Sequence, residues 1–134
     1  MLLGRGPCLS TTIGDGRRRQ LRRPNGLVFS LDESLSDSRA THIRELTVRD
    51  DGSIGADRVF ATCRSGTFDT IRSDAGGRLW AAAMGGGVHC YDPDGTLLGR
   101  LLVPDVVANI RFGGPKRNRL FLAADTALYS VVLA

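Results

Sequence analysis

An all-β fold assembled from repeated units of about four short strands is what this 134-residue sequence predicts. Three observations lead there. From Pro24 onward, short β-branched or aromatic runs alternate with turn signals: Arg49-Asp50-Asp51-Gly52, Asp74-Ala75-Gly76-Gly77, Asp92-Pro93-Asp94-Gly95 and Gly113-Gly114-Pro115-Lys116. Glycine there supplies the positive φ of a tight hairpin and aspartate caps the turn with its side chain. No long segment carries an apolar period of about 3.6 residues, so little helix is expected. Finally, three elements recur in the same order roughly 40 residues apart.

The repeat sets the strands. Asp69-Thr70-Ile71-Arg72 is echoed by Asn109-Ile110-Arg111-Phe112, Arg78-Leu79-Trp80-Ala81-Ala82 by Arg119-Leu120-Phe121-Leu122-Ala123, and Gly87-Val88-His89-Cys90-Tyr91 by Ala127-Leu128-Tyr129-Ser130-Val131. Upstream, Asn25-Gly26-Leu27-Val28-Phe29 precedes Asp69 by a similar distance. In the middle unit the strands are placed near Thr70–Ser73, Arg78–Ala82, Val88–Tyr91 and Leu97–Leu102. A period of about 40 residues with four strands is the signature of a β-propeller blade. The pattern amounts to nearly three blades over residues 24–134, the last lacking its fourth strand.

Composition excludes some function classes. No apolar run reaches the length of a membrane span and the start lacks a secretory signal, which makes the cytoplasm the default location. Cys8, Cys63 and Cys90 show no CxxC spacing and read as free thiols. The net charge of +4 is concentrated in Arg17, Arg18, Arg19, Arg22 and Arg23. Residues 1–23 read as a disordered basic arm. A nucleic-acid grip is disfavoured, because no aromatic residue interleaves with the arginines.

Four segments now bear comparison with a known family. Arg23-Pro24-Asn25-Gly26-Leu27-Val28-Phe29-Ser30-Leu31-Asp32-Glu33, Phe68-Asp69-Thr70-Ile71-Arg72-Ser73-Asp74-Ala75-Gly76-Gly77-Arg78-Leu79-Trp80, Gly86-Gly87-Val88-His89-Cys90-Tyr91-Asp92-Pro93-Asp94-Gly95 and Asn109-Ile110-Arg111-Phe112-Gly113-Gly114-Pro115 with Asp125-Thr126-Ala127-Leu128-Tyr129 resemble, in order, motifs of the SMP-30/gluconolactonase/luciferin-regenerating family. The resemblance covers about residues 21–133. It implies a six-bladed propeller that holds a divalent cation in its central channel and hydrolyses lactones. By that resemblance Asn25 is a metal ligand through its amide oxygen. Asp69 is a metal ligand that acts as, or orients, the base activating water. Oxygen donors imply Ca²⁺ first, with Mg²⁺, Mn²⁺ or Zn²⁺ as alternatives.

The departures from the family pattern set further expectations. Asp69 is followed by Thr70 where the family has Gly, and Ser34-Leu35-Ser36-Asp37 lacks the apolar strand that usually follows, so the first unit is expected to miss most of its second strand. Glu33 and Glu45 are the only glutamates and neither occupies the place of the family's N-terminal ligand. The chain is therefore read as a truncated propeller, inactive alone, with weak or no cation binding. The alternative is a non-catalytic module that pairs with itself or a partner through open blade edges. Asp32, Asp74, Asp92 and Asp94 read as turn aspartates. His42 and His89 read as blade packing at corresponding positions, Trp80 and Phe121 as core, and Gly85-Gly86-Gly87 as a strand connector.

Overall fold

The structure is a computed structural model that describes residues 26–29, 35–39, 41–64 and 66–134, the side chains of 35–39 and of Asp57 excepted. The basic segment and Asn25 lie outside the described residues. Among the described residues there are eleven strands and no helix. The first sheet runs β1 (Leu27–Phe29), β2 (Leu35–Arg39), β3 (His42–Val48) and β4 (Ile54–Thr62). The second runs β5 (Thr67–Ser73), β6 (Leu79–Met84), β7 (Gly87–Tyr91) and β8 (Leu97–Leu101). The third holds β9 (Val107–Gly113), β10 (Arg119–Ala124) and β11 (Leu128–Val132), without a fourth strand among the described residues.

All the pairings are antiparallel between chain neighbours, as short hairpin loops dictate. The turn chemistry repeats. Oδ1 of Asp51, Asp74 and Asp94 accepts from the backbone N–H two residues on, at 2.8, 2.9 and 2.7 Å. Gly52, Gly77 and Gly95 take φ of 78°, 79° and 94° in the same turns. Gly85 and Gly87, with φ of 81° and 72°, form the β6–β7 connection as expected.

The sheets stack face to face. Ile43, Ala61 and Cys63 of the first meet Phe68, Ile71, Ala81, Ala83 and Tyr91 of the second. Trp80, Ala82, Val88 and Cys90 on the opposite face meet Val107, Ile110, Leu120 and Leu122 of the third. β6 is therefore buried on both faces, and its three consecutive alanines let both neighbouring sheets approach closely. Cys63 and Cys90 are buried and form no disulfide among the described residues, and they pack as small apolar side chains. Among the described residues no helix is long and apolar enough to cross a membrane.

Three expectations need correction. The first unit keeps its second strand, since β2 pairs residue by residue with both β1 and β3. Hydrogen bonding on both sides holds a polar sequence extended there. The alignment of first strands also moves by one residue. Val107 and Ile110 are the buried pair of β9 as Phe68 and Ile71 are of β5, so Asp69 corresponds to Ala108 and Thr70 to Asn109. Lastly, His42 and His89 are not equivalent. The fully buried Ile43 and Val88 match, each facing the next sheet, which puts Arg44 at the position of His89.

Candidate functional site

Asp69 lies where the first strands of the three sheets converge. Two side-chain bonds tie these strands together: Ser73 Oγ donates to the Phe29 carbonyl at 3.2 Å, and Thr70 Oγ1 donates to the Ala108 carbonyl at 2.9 Å. β5 is thus braced against β1 on one side and β9 on the other.

The local geometry follows from the spacing of the buried residues. Phe68 and Ile71 enter the same core cluster although they are three residues apart, out of phase for a regular strand. A β-bulge absorbs the mismatch. Phe68 pairs with Ala83 and Ile71 with Ala81, so Asp69 and Thr70 together face Ala82 alone. Bulges of this kind re-aim a side chain and recur beside active sites. The same extra residue recurs at Ala108 of β9, where Asn109 pairs with Ala123 and Val107 with Ala124. In that sheet the bulge carries a methyl group. In the second sheet it carries a half-buried carboxylate.

Among the described residues no three His, Cys, Asp or Glu side chains gather into a group fit to hold a metal ion. A hard divalent cation of the calcium type takes about six to eight oxygen ligands. Asp69 supplies the right donor chemistry, but the described residues do not complete such a site. Asn25, the other expected ligand, lies outside them.

Asp74 is the turn residue it was expected to be, and it also fastens Trp80 into the core. His89 packs in the blade, buried, and in addition places its Nδ1 3.0 Å from the Tyr91 hydroxyl. The signal was the His-x-Tyr spacing, which places both side chains on one face of a strand. Trp80 is core, edge-to-face with Phe112 at 6.1 Å between ring centres, whereas its counterpart Phe121 is half-buried on the outward face of the third sheet.

Stacked antiparallel sheets with bulges recurring on their first strands define a repetitive all-β protein. The model of the SMP-30/Gluconolactonase/LRE-like region matches residues 15–126, and the chain belongs to that family. It is 34% identical over 107 residues to the pentonolactonase XacC of Haloferax volcanii, covering 74% of this chain and 37% of that protein. The structure of a gluconolactonase from Xanthomonas campestris superposes with a TM-score of 0.78 at 36% identity, covering 85% of this chain and 39% of the other. A calcium-binding protein, regucalcin, from Agrobacterium tumefaciens superposes with a TM-score of 0.63 at 30% identity, over 74% of this chain and 37% of its own. The chain thus spans less than two-fifths of the length of each of these relatives.

Proposed function

We propose that this chain carries the base-bearing part of a lactone-hydrolase site and is inactive without the remainder of that site. The observation that carries the reading is Asp69 itself, half-buried in a bulge on the strand braced between β1 and β9. Hydrolysis of a lactone needs water to attack the ring carbonyl carbon while a base takes its proton; the ring C–O bond then breaks to give a hydroxy acid. Asp69 is assigned as that base, or as the group that orients it. The names of the relatives favour sugar lactones of five or six carbons as substrates.

Asn25 and Asp69 are assigned as two oxygen donors to a divalent cation, Ca²⁺ in the first place. The other donors of such a site would have to come from outside the described residues. When bound, the cation would supply charge that polarises the carbonyl and acidifies a bound water. Six-bladed closure and a cytoplasmic location are part of the same reading.

The test is a pH-stat assay on gluconolactone and a pentonolactone, with Ca²⁺ present. The chain is assayed alone and mixed with the portion of the Haloferax volcanii relative that it does not match. Turnover above the spontaneous rate is expected only in the mixture, and it should vanish in Asp69→Asn. An inert mixture, or equal turnover by Asp69→Asn, would sink the assignment.

A second reading, self-association, is favoured by a separate observation. The outward face and edge of the third sheet expose Leu128 at 72% and Val132 at 56%, while β1 exposes Leu27 and Phe29 at 55% each. Unpaired strand edges and apolar faces of this kind recruit other sheets.

A further inference from the structure

Away from Asp69, a cleft of about 590 Å³ opens between the first and second sheets, in the size range of small-molecule sites. Its lining includes Thr62, Arg64, His89, Tyr91, Leu97 and Arg100, and no carboxylate among the described residues. Arg64 and Arg100 are both exposed, and neither guanidinium has an acidic partner among the described residues. Arg100 faces His89 directly across the β7–β8 pair.

His89 is the unusual member. It is only 3% exposed, its Nδ1 lies 3.0 Å from the Tyr91 hydroxyl, and its Nε2 is shielded from solvent with no hydrogen-bond partner among the described residues. Burial pushes the Tyr91 phenol up to about 12, so at neutral pH it keeps its proton and is able to donate to Nδ1. Burial, and then the charge of Arg100, lower the His89 pKa from its ordinary 6.5 against a backbone contact with Gly86 that would raise it, which favours the neutral ring. In the tautomer whose Nδ1 accepts from Tyr91, the ring proton sits on Nε2. In that tautomer Nε2–H is a buried donor with no geometric partner among the described residues, in a cleft that Arg64 and Arg100 also line. A buried donor left without a partner is costly, and arginine forks match planar or tetrahedral oxyanions.

We propose that this cleft binds a small oxyanion, a carboxylate or a phosphate, gripped by Arg64 and Arg100 with His89 Nε2–H as the third donor. The site is separate from Asp69, and the proposal does not rest on the lactone reading.

Backbone amide NMR titration of the full chain tests it, using inorganic phosphate, gluconate, and uncharged inositol as the control. Saturable shifts at Thr62, Gly95 and Leu97 are expected with at least one anion and none with inositol. Whichever anion saturates at lower concentration identifies the headgroup chemistry. The double variant Arg64→Gln/Arg100→Gln should weaken binding by about tenfold or more, because charge-assisted bonds are lost. Both side chains are exposed, so that variant should keep its fold, which far-ultraviolet circular dichroism checks. Nitrogen–proton couplings of His89 should show the Nε2–H tautomer. The proposal is overturned if neither anion saturates, if the double variant binds as well as wild type, or if the ring carries its proton on Nδ1.

Discussion

The indole Nε1 of Trp80 donates to Oδ2 of Asp74 at 2.9 Å, joining a turn between strands to the core between sheets. The same carboxylate accepts from Gly76 N at 2.9 Å, from Arg78 N at 3.0 Å and from Arg78 Nε at 2.7 Å. One side chain therefore closes the β5–β6 turn, orients Arg78 and satisfies the only polar atom of a tryptophan packed against the third sheet.

Asp74→Ala should cost about 2–3 kcal/mol, mostly from stranding the buried indole N–H. Asp74→Asn should be nearly as harmful, because its NH₂ group must face a donor that the lost oxygen accepted. Equilibrium urea unfolding of the three proteins checks both. Acid provides a second check. Burial alone would raise the Asp74 pKa, but the bonds from Trp80 and Arg78 and the Arg78 charge outweigh it and hold it below the ordinary 3.8. Its contribution is thus fully present above that value and disappears as pH falls through the lower, folded one. The variants should lose this part of the acid dependence.

Two glycines of one hairpin should respond differently to alanine. Both take positive φ, 81° at Gly85 and 72° at Gly87. A Cβ on Gly85 meets nothing within 4 Å, so Gly85→Ala should cost only the backbone strain, about 1–2 kcal/mol. At Gly87 a Cβ would strike the Leu101 carbonyl of the neighbouring strand, so β7 and β8 would have to separate. A larger loss is expected there, read as a lower melting temperature than that of Gly85→Ala. Equal melting temperatures would contradict the close approach.

The fold was legible where side chains alone decide it. The turn signals and the internal repeat placed the middle sheet, although β5 begins at Thr67 rather than Thr70. Reading failed where backbone geometry decides. The bulge at Asp69 and Thr70 adds a residue that no spacing rule reveals, and the comparison with Asn109 slipped by one place because the spacing between equivalent strands is not constant along the repeat. β2, with the sequence Leu-Ser-Asp-Ser-Arg, has no apolar pattern because its place is set by ladders on both sides. At the candidate site, Asp69 was legible only through resemblance to a family, since an isolated aspartate in a strand carries no local signal. The pairing of His89 with Tyr91 was within reach, but the absence of a partner on Nε2 depends on what β4 and β8 bring alongside.

His89 should leave a mark on the pH dependence of stability. Its folded pKa lies below the ordinary 6.5, owing to burial and then to Arg100. The unfolded chain therefore binds a proton first as pH falls. The stability involved is fully present above the ordinary value and is lost as pH drops through the folded one. Urea unfolding between about pH 7 and pH 5 should show this decline, and His89→Gln should flatten it. An unchanged slope in the variant would place the decline elsewhere.

Apolar residues on the outward face of the third sheet should drive self-association. Phe121 and Leu128 occupy the places that Trp80 and Val88 hold in the second sheet, where the third sheet covers them. On the third sheet Leu128 remains 72% exposed. The repeat thus presents a surface shaped to receive another sheet, and β1 offers a matching apolar face through Leu27 and Phe29, each 55% exposed. Contact of one chain's third sheet with another's first would reuse the packing already seen between neighbouring sheets. Sedimentation velocity over a concentration series should show a reversible shift to larger species. Phe121→Glu with Leu128→Glu should weaken it by about tenfold or more, since a charge buried in an apolar contact must be desolvated. The paired substitution should leave the monomer's circular dichroism unchanged, because neither residue belongs to the two core clusters. A concentration series that stays monomeric in the unmodified chain would remove the self-association reading and leave Asp69 as the main basis for function.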